Sequence, residues 1–173
     1  MDASASTRIR YDAKTILLHW LTAGLIVALW SMGQTIDWFP RPLRPDARSA
    51  HFTVGLILGV VLVLRVHWRA TNGRTLPDAD PGLLGLAAKA VHYLLYALVI
   101  GEVTLGICNA WFRGDSYFGL FSLPGYKPLR DQIEWLHANG ATAILIVAGV
   151  HALAALGHHY VLRDNVLRRM WMN

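Results

Sequence analysis

Four apolar stretches run through the chain, and they decide what it can fold into. They cover about residues 16–36, 51–67, 83–108 and 133–162. A bilayer crossing takes about 20 largely apolar residues, within a range of about 17–25. The second stretch, HFTVGLILGVVLVLRVH from His51 to His67, is the shortest and is bounded by charge. Hydrocarbon offers no partner for a backbone N–H or C=O, so a spanning segment closes its hydrogen bonds as a helix. The expected fold class is all-α: an integral-membrane four-helix bundle, in a single domain over residues 1–173.

Composition agrees with a lipid environment. The chain is 54% hydrophobic and 16% charged, against about 25% charged for a soluble domain, too little to coat one. Between the stretches lie WFPRPLRPD, TNGRTLPDADPG and RGDSYFGLFSLPGYKPLRD, rich in proline and glycine and read as loops. The first stretch is too long for a signal peptide and is followed by Trp38-Phe39-Pro40 rather than a small-residue cleavage site, so it is read as a retained helix. The single Cys108 excludes an internal disulfide and a cysteine-based cluster or zinc site. Trp20, Trp30, Trp38, Trp68, Trp111, Trp135 and Trp171 are expected mostly as interfacial anchors.

The formal charge of +5 would suggest nucleic acid in a soluble protein. Here the basic residues stand at the ends of apolar runs, so they report membrane orientation and imply no nucleic-acid partner. Ten of the 16 Lys and Arg fall on one side, namely Arg8, Arg10, Lys14, Arg65, Arg69, Arg74, Lys89, Arg163, Arg168 and Arg169. Arg41, Arg44, Arg48, Arg113, Lys127 and Arg130 fall on the other. Positive charge stays inside, so both termini are expected in the cytoplasm, in a multi-pass protein surrounded by lipid.

Ionisable side chains within spans are functional candidates by default. The chain holds eight histidines. His137 and His151 are 14 residues apart on the fourth stretch, a rise of roughly 21 Å with only ~40° of rotation between them. One helix face therefore offers a nitrogen near each side of the bilayer. His51, opening the second helix, lies at the level of His137, and His19 at that of His151. Two stacked pairs result, His51/His137 outside and His19/His151 inside, which suits two porphyrins held between facing helices. The residues four positions downstream of these histidines are small, Ala23, Gly55, Ala141 and Ala155, whereas His67, His92 and His158 are followed by Thr71, Tyr96 and Leu162. Zinc or copper would need ligands converging on one point, which two distant layers do not offer.

The remaining candidates carry two readings each. Any single intramembrane histidine can be a satisfied packing residue. His158 and His159 at the inner boundary, with Lys89, can meet a haem propionate or a quinone headgroup, or be plain interfacial residues. His92, near Lys89, is read the same way, and His67 is read as an interfacial residue. Glu102 is either a proton relay or a hydrogen-bonded structural carboxylate, and Gly55 with Gly59 is either a helix-packing pair or room for a cofactor.

The segments Arg10-Tyr11, Ile16-Leu17-Leu18-His19-Trp20-Leu21, Trp135-Leu136-His137 and His151-Ala152-Leu153-Ala154-Ala155-Leu156-Gly157-His158-His159-Tyr160 resemble the bacterial cytochrome b561 family, as does Arg163-Asp164-Asn165-Val166-Leu167-Arg168-Arg169-Met170. The resemblance covers essentially the whole chain. It implies a four-helix inner-membrane cytochrome with two b haems, ligated by His19, His51, His137 and His151, that exchanges electrons with ubiquinone. One branch of that family is superoxide oxidase, and Trp38-Phe39-Pro40-Arg41 resembles it. Arg41, Arg44, Arg48, Lys127 and Arg130 are then candidates for an anion funnel at the outer face. Three functions stand at this point: an oxidoreductase delivering electrons from superoxide to ubiquinone, an electron-transfer subunit for a dehydrogenase or periplasmic cytochrome, and a haem-free transporter or structural bundle.

Overall fold

A computed structural model gives the architecture over residues 10–77, 79 and 82–171. Arg8 of the basic count, and Asp78, Asp80 and Pro81 of the second connection, lie outside the described residues. Four helices are long and apolar enough to cross a membrane. They are α1 (Ala13–Thr35), α2 (Arg44–Thr71), α3 (Gly82–Arg113) and α4 (Lys127–Gly157). Each starts before the apolar stretch that announced it. The second differs most: Pro45 and Asp46 stand in its first turn, where a missing N–H costs nothing and a negative charge meets the helix dipole. His51 therefore sits two turns inside α2 instead of opening it, and the end of WFPRPLRPD is helix, not loop.

The third connection also differs from its reading as a loop. It folds into a two-stranded hairpin, β1 (Ser116–Tyr117) and β2 (Phe121–Ser122), with Ser116 opposite Ser122 and Tyr117 opposite Phe121. Its turn uses two left-handed residues, Phe118 at φ 48° and Gly119 at φ 72°. Phe118 is held there because its N–H donates to the buried Ser49 Oγ at 3.0 Å. Ser49 in turn reaches the Ser116 and Pro45 carbonyls at 3.0 and 2.9 Å, pinning the hairpin to α2.

Most of the bundle's apolar side chains face outward, among them Val63, Leu153 and Ile146, as a lipid-facing belt requires. Hydroxyl groups along the helices close on their own backbone, as Thr22 does on Leu18 O at 2.6 Å and Thr104 on Ile100 O at 3.0 Å, which satisfies them without water. The buried core is small and lies at mid-height: Leu58, Leu62, Val99 and Ile144, with Leu25, Leu29 and Tyr96 against it. Ile144 is 2% exposed and falls midway between His137 and His151. The core thus separates the two histidine levels.

The described beginning and end of the chain meet at one end of the bundle, where Tyr11 N–H donates to Arg169 O at 3.1 Å and the Trp20 indole to Met170 O at 2.7 Å. Asp12 ties that end together. It caps α1 through Thr15 N–H and accepts the Trp68 indole at 2.8 Å and Arg74 N–H at 3.0 Å. Partial burial works against its ionisation, but these hydrogen bonds outweigh it and hold the carboxyl well below the usual carboxylate range.

Candidate functional site

The two predicted pairs are both formed. His51 and His137 face each other from α2 and α4 with ring centres 6.1 Å apart and planes at 89°. His19 and His151 face each other from α1 and α4 at 6.3 Å and 73°. A metal held between two imidazoles gives a similar figure. Two bonds of about 2.0–2.1 Å, each extended by about 1.1 Å from nitrogen to ring centre, sum to about 6.3 Å.

The His51 level opens into a cavity of about 270 Å³ lined by Trp30, Gly33, Arg48, Gly55, Glu102, Gly106, Asn109, Arg113 and Ala141 together with both histidines. Its floor is the core, through Leu58, Val99 and Ile144. Several of its polar atoms are buried without a hydrogen-bond partner: Trp30 Nε1, His51 Nδ1 and Asn109 Oδ1. Such orphans are costly unless something else meets them. Trp30 is thus turned into the cavity, away from the interfacial role expected of it. Two glycines crowd the histidines from neighbouring helices. A Cβ on Gly106 would stand 3.2 Å from His137 Cε1, and one on Gly33 would stand 3.6 Å from His51 Cε1. A flat, partly polar group between two imidazoles fits this set.

The His19 level is more crowded. His92 on α3 approaches His151 to 5.0 Å, and its Nδ1 meets Ala88 O at 2.7 Å. Arg65 Nη2 lies 3.0 Å from His19 Nδ1, with its guanidinium 5.2 Å from the Tyr96 ring centre. A guanidinium only donates, so His19 Nδ1 accepts and the neutral ring carries its proton on Nε2. The spacing fits a bridged iron; the tautomer requires Arg65 to turn to another acceptor first.

The boundary residues do not gather at one point. His159 lines a second cavity of about 330 Å³ with Arg10, Leu167, Arg168 and Trp171, while His158 holds Asp164 at 2.6 Å. Slight burial raises the Asp164 pKa, but hydrogen bonds from Val166 N–H and His158 and the Arg169 charge more than offset it, leaving the carboxyl below its ordinary value. The α-helix gives way to a π-turn at His158–Leu162, ended by Arg163 in a left-handed conformation. Lys89 is on α3, in the first turns near Gly82.

The arginines at the His51 end of the bundle are largely paired. Arg44 is tied to its own loop, reaching Asp37 Oδ1 at 3.0 Å and the Asp37 and Phe39 carbonyls. Arg48 lies 3.4 Å from Asp115, and Arg113 reaches Asp115 at 3.5 Å and Glu134 at 2.6 Å. Arg130 stands 4.0 Å from Glu134. Arg41 begins a short 3₁₀ turn and Lys127 begins α4. Of the six, Arg48 and Arg113 line the cavity.

Sequence reasoning did not find Gly33, Gly106, Asn109 or Arg65 as site-lining residues. They come from helices facing the histidines, and a signal for three of them was present: Gly33, Arg65 and Gly106 stand 14 residues after His19, His51 and His92, the spacing that separates His137 from His151.

A family model described as prokaryotic cytochrome b561 matches residues 10–173. The chain is 33% identical over 168 residues to the "Probable superoxide oxidase CybB" of Yersinia pestis, covering 93% of this chain and 95% of that protein. It is 30% identical to the "Cytochrome b562" of Cereibacter sphaeroides over 166 residues, 92% of this chain and 94% of the other. "Cytochrome b561 homolog 2" of Escherichia coli K12 is 30% identical over 176 residues, 95% and 93%.

Proposed function

The chain belongs to the prokaryotic cytochrome b561 family of membrane electron-transfer proteins, which bind b-type haem, and from that premise we propose that it holds two such haems and passes electrons from superoxide to ubiquinone. The haem-free transporter or structural bundle is set aside by the family. The observation that carries the rest is the pair of facing histidines at each end of the bundle, 6.1 and 6.3 Å between ring centres, with an apolar core between them.

In this reading His51 and His137 hold the outer haem and His19 and His151 the inner one. Both termini lie in the cytoplasm and the protein sits in the bacterial inner membrane. Haem held by these histidine pairs would supply one-electron transfer, with no coordination position left for dioxygen. The chain positions the two sites on one face of α4, and the Leu58, Leu62, Val99 and Ile144 cluster keeps water from between them. Arg65, released from His19, would be free to pair with an anionic group of the bound cofactor. His158, His159 and Lys89 face the quinone side. The balance is two superoxide anions oxidised to dioxygen, with two electrons and two protons converting ubiquinone to ubiquinol.

Purified protein in detergent, given pulses of superoxide with a soluble ubiquinone, tests this. Haem reduction followed by ubiquinol formation is expected. Haem that dithionite reduces but superoxide does not would move the donor to a redox protein, the second reading. The pairing of Arg44, Arg113 and Arg130 with carboxylates favours that alternative, because it leaves little net field for an anion. Around the cavity mouth Arg48, Arg113 and Arg130 face Asp115 and Glu134, a local excess of one positive charge. One charge at ~10 Å in water is worth about 0.4 kcal/mol, roughly a twofold gain in local anion concentration. Arg48→Glu turns the excess into a deficit and should slow superoxide-driven reduction about fourfold at low salt, with the difference vanishing near 1 M salt. Equal rates for Arg48→Glu and wild type at every ionic strength would remove the funnel.

A further inference from the structure

Glu102 is an acidic side chain in the middle of a membrane helix, where a carboxylate is expensive and needs a reason. It does not face lipid. Its Oε1 lies 2.8 Å from His137 Nδ1, with the carboxyl side chain 13% and the imidazole 21% exposed. Neither atom has a hydrogen-bond partner: the separation is right, but the alignment is not that of a formed bond. The other carboxylate oxygen presses on the place where a Cβ at residue 140 would stand, so only glycine at 140 admits the carboxylate in this position. Gly106, four residues along α3 from Glu102, leaves room for the His137 ring itself. Two glycines on two helices thus make space for one carboxylate–imidazole pair. On the facing side His51 Nδ1 has no such neighbour, and at the other level His19 Nδ1 meets the cationic Arg65 at 3.0 Å.

We propose that Glu102 is a positioning residue for the outer haem, accepting the Nδ1–H of His137 so that Nε2 is aimed at His51 and the imidazole is made more basic. The inference rests on the ligand reading above. A ligating histidine donates its second ring N–H to a carboxylate or carbonyl, which fixes the tautomer and strengthens the ligand. A more basic axial ligand and a nearby negative charge both favour ferric over ferrous iron. With a carboxylate on His137 at one level and the Arg65 cation in the surroundings of the other, the two haems are held at different potentials, the outer one lower. An electron arriving outside then runs downhill to the inner haem and the quinone.

The test is a redox titration of purified holoprotein, wild type against Glu102→Gln, with haem content measured on the same samples. Both haems should stay bound in the variant. One of the two midpoint potentials should rise by a tenfold change in its reduction equilibrium, about 59 mV for one electron, while the other stays in place. Glu102→Asp keeps the charge but withdraws it by one methylene, and should give a smaller rise in the same haem. Two unmoved potentials with full haem content overturn the proposal. So does loss of a haem from both variants, which makes the carboxylate structural only. If instead His137→Ala keeps both haems, the ligand reading itself fails, and haem count rather than potential reveals it.

Discussion

His137→Ala should leave the protein with half its haem, and His51→Ala should do the same to the same haem. The two residues face each other at 6.1 Å, and among the described residues no third imidazole lines that cavity, so truncating either leaves a single histidine beside polar atoms that are poor iron donors. His19→Ala and His151→Ala should remove the other haem. Haem per protein by pyridine haemochrome, on each variant, gives the count. The reduced-minus-oxidised spectrum shows which component is lost. His92→Ala is the stringent control, because its ring is nearer His151 than that of His19 is, 5.0 Å against 6.3 Å. It should keep both haems, since its approach at 5.0 Å is too short for two metal–nitrogen bonds between the rings. A haem lost from His92→Ala and kept in His19→Ala would hand the inner site to His92 and His151.

The bundle and the pairing of its histidines were legible in the sequence for a physical reason. Spanning length is set by the bilayer, and a 3.6-residue turn fixes which side chains share a face, so His137 and His151 announce two levels without any tertiary knowledge. What surrounds them was legible only in part. Gly33 and Gly106 stand 14 residues after His19 and His92, which puts each on the face of the histidine before it, but which histidine that face meets across the helix interface is set by packing that no local pattern encodes. The same holds for Glu102, which sequence left between proton relay and structural carboxylate until α3 was seen to turn it onto His137. Helix starts were misjudged at α2 because hydropathy ends where the charges begin, whereas Pro45 and Asp46 are good first-turn residues and carry the helix two turns further. The hairpin at Ser116–Ser122 is pinned by Ser49, which lies 67 residues from Ser116 in the chain.

Gly55→Leu should cost the outer haem while leaving the bundle intact. A Cβ on Gly55 meets nothing within 4 Å, and the residue lines the cavity between His51 and His137. Within a helix leucine is favoured over glycine by up to about 1 kcal/mol, and here there is room for it. Judged on protein atoms alone, the substitution is neutral or stabilising. The glycine makes sense if a group other than protein lies against the helix at that point, and then the leucine overpacks it by about 1–3 kcal/mol, roughly a five- to 150-fold loss of haem affinity. Gly106→Leu should be more severe, since its Cβ would press on the His137 ring at 3.2 Å. Gly149→Leu is the matched control: its Cβ also meets nothing within 4 Å, but it faces outward and lines no part of the cavity, so both haems should remain. Haem content and thermal unfolding in detergent, measured together, separate the cases. Full occupancy in Gly55→Leu with raised stability would mean that the space beside His51 is not where the porphyrin lies.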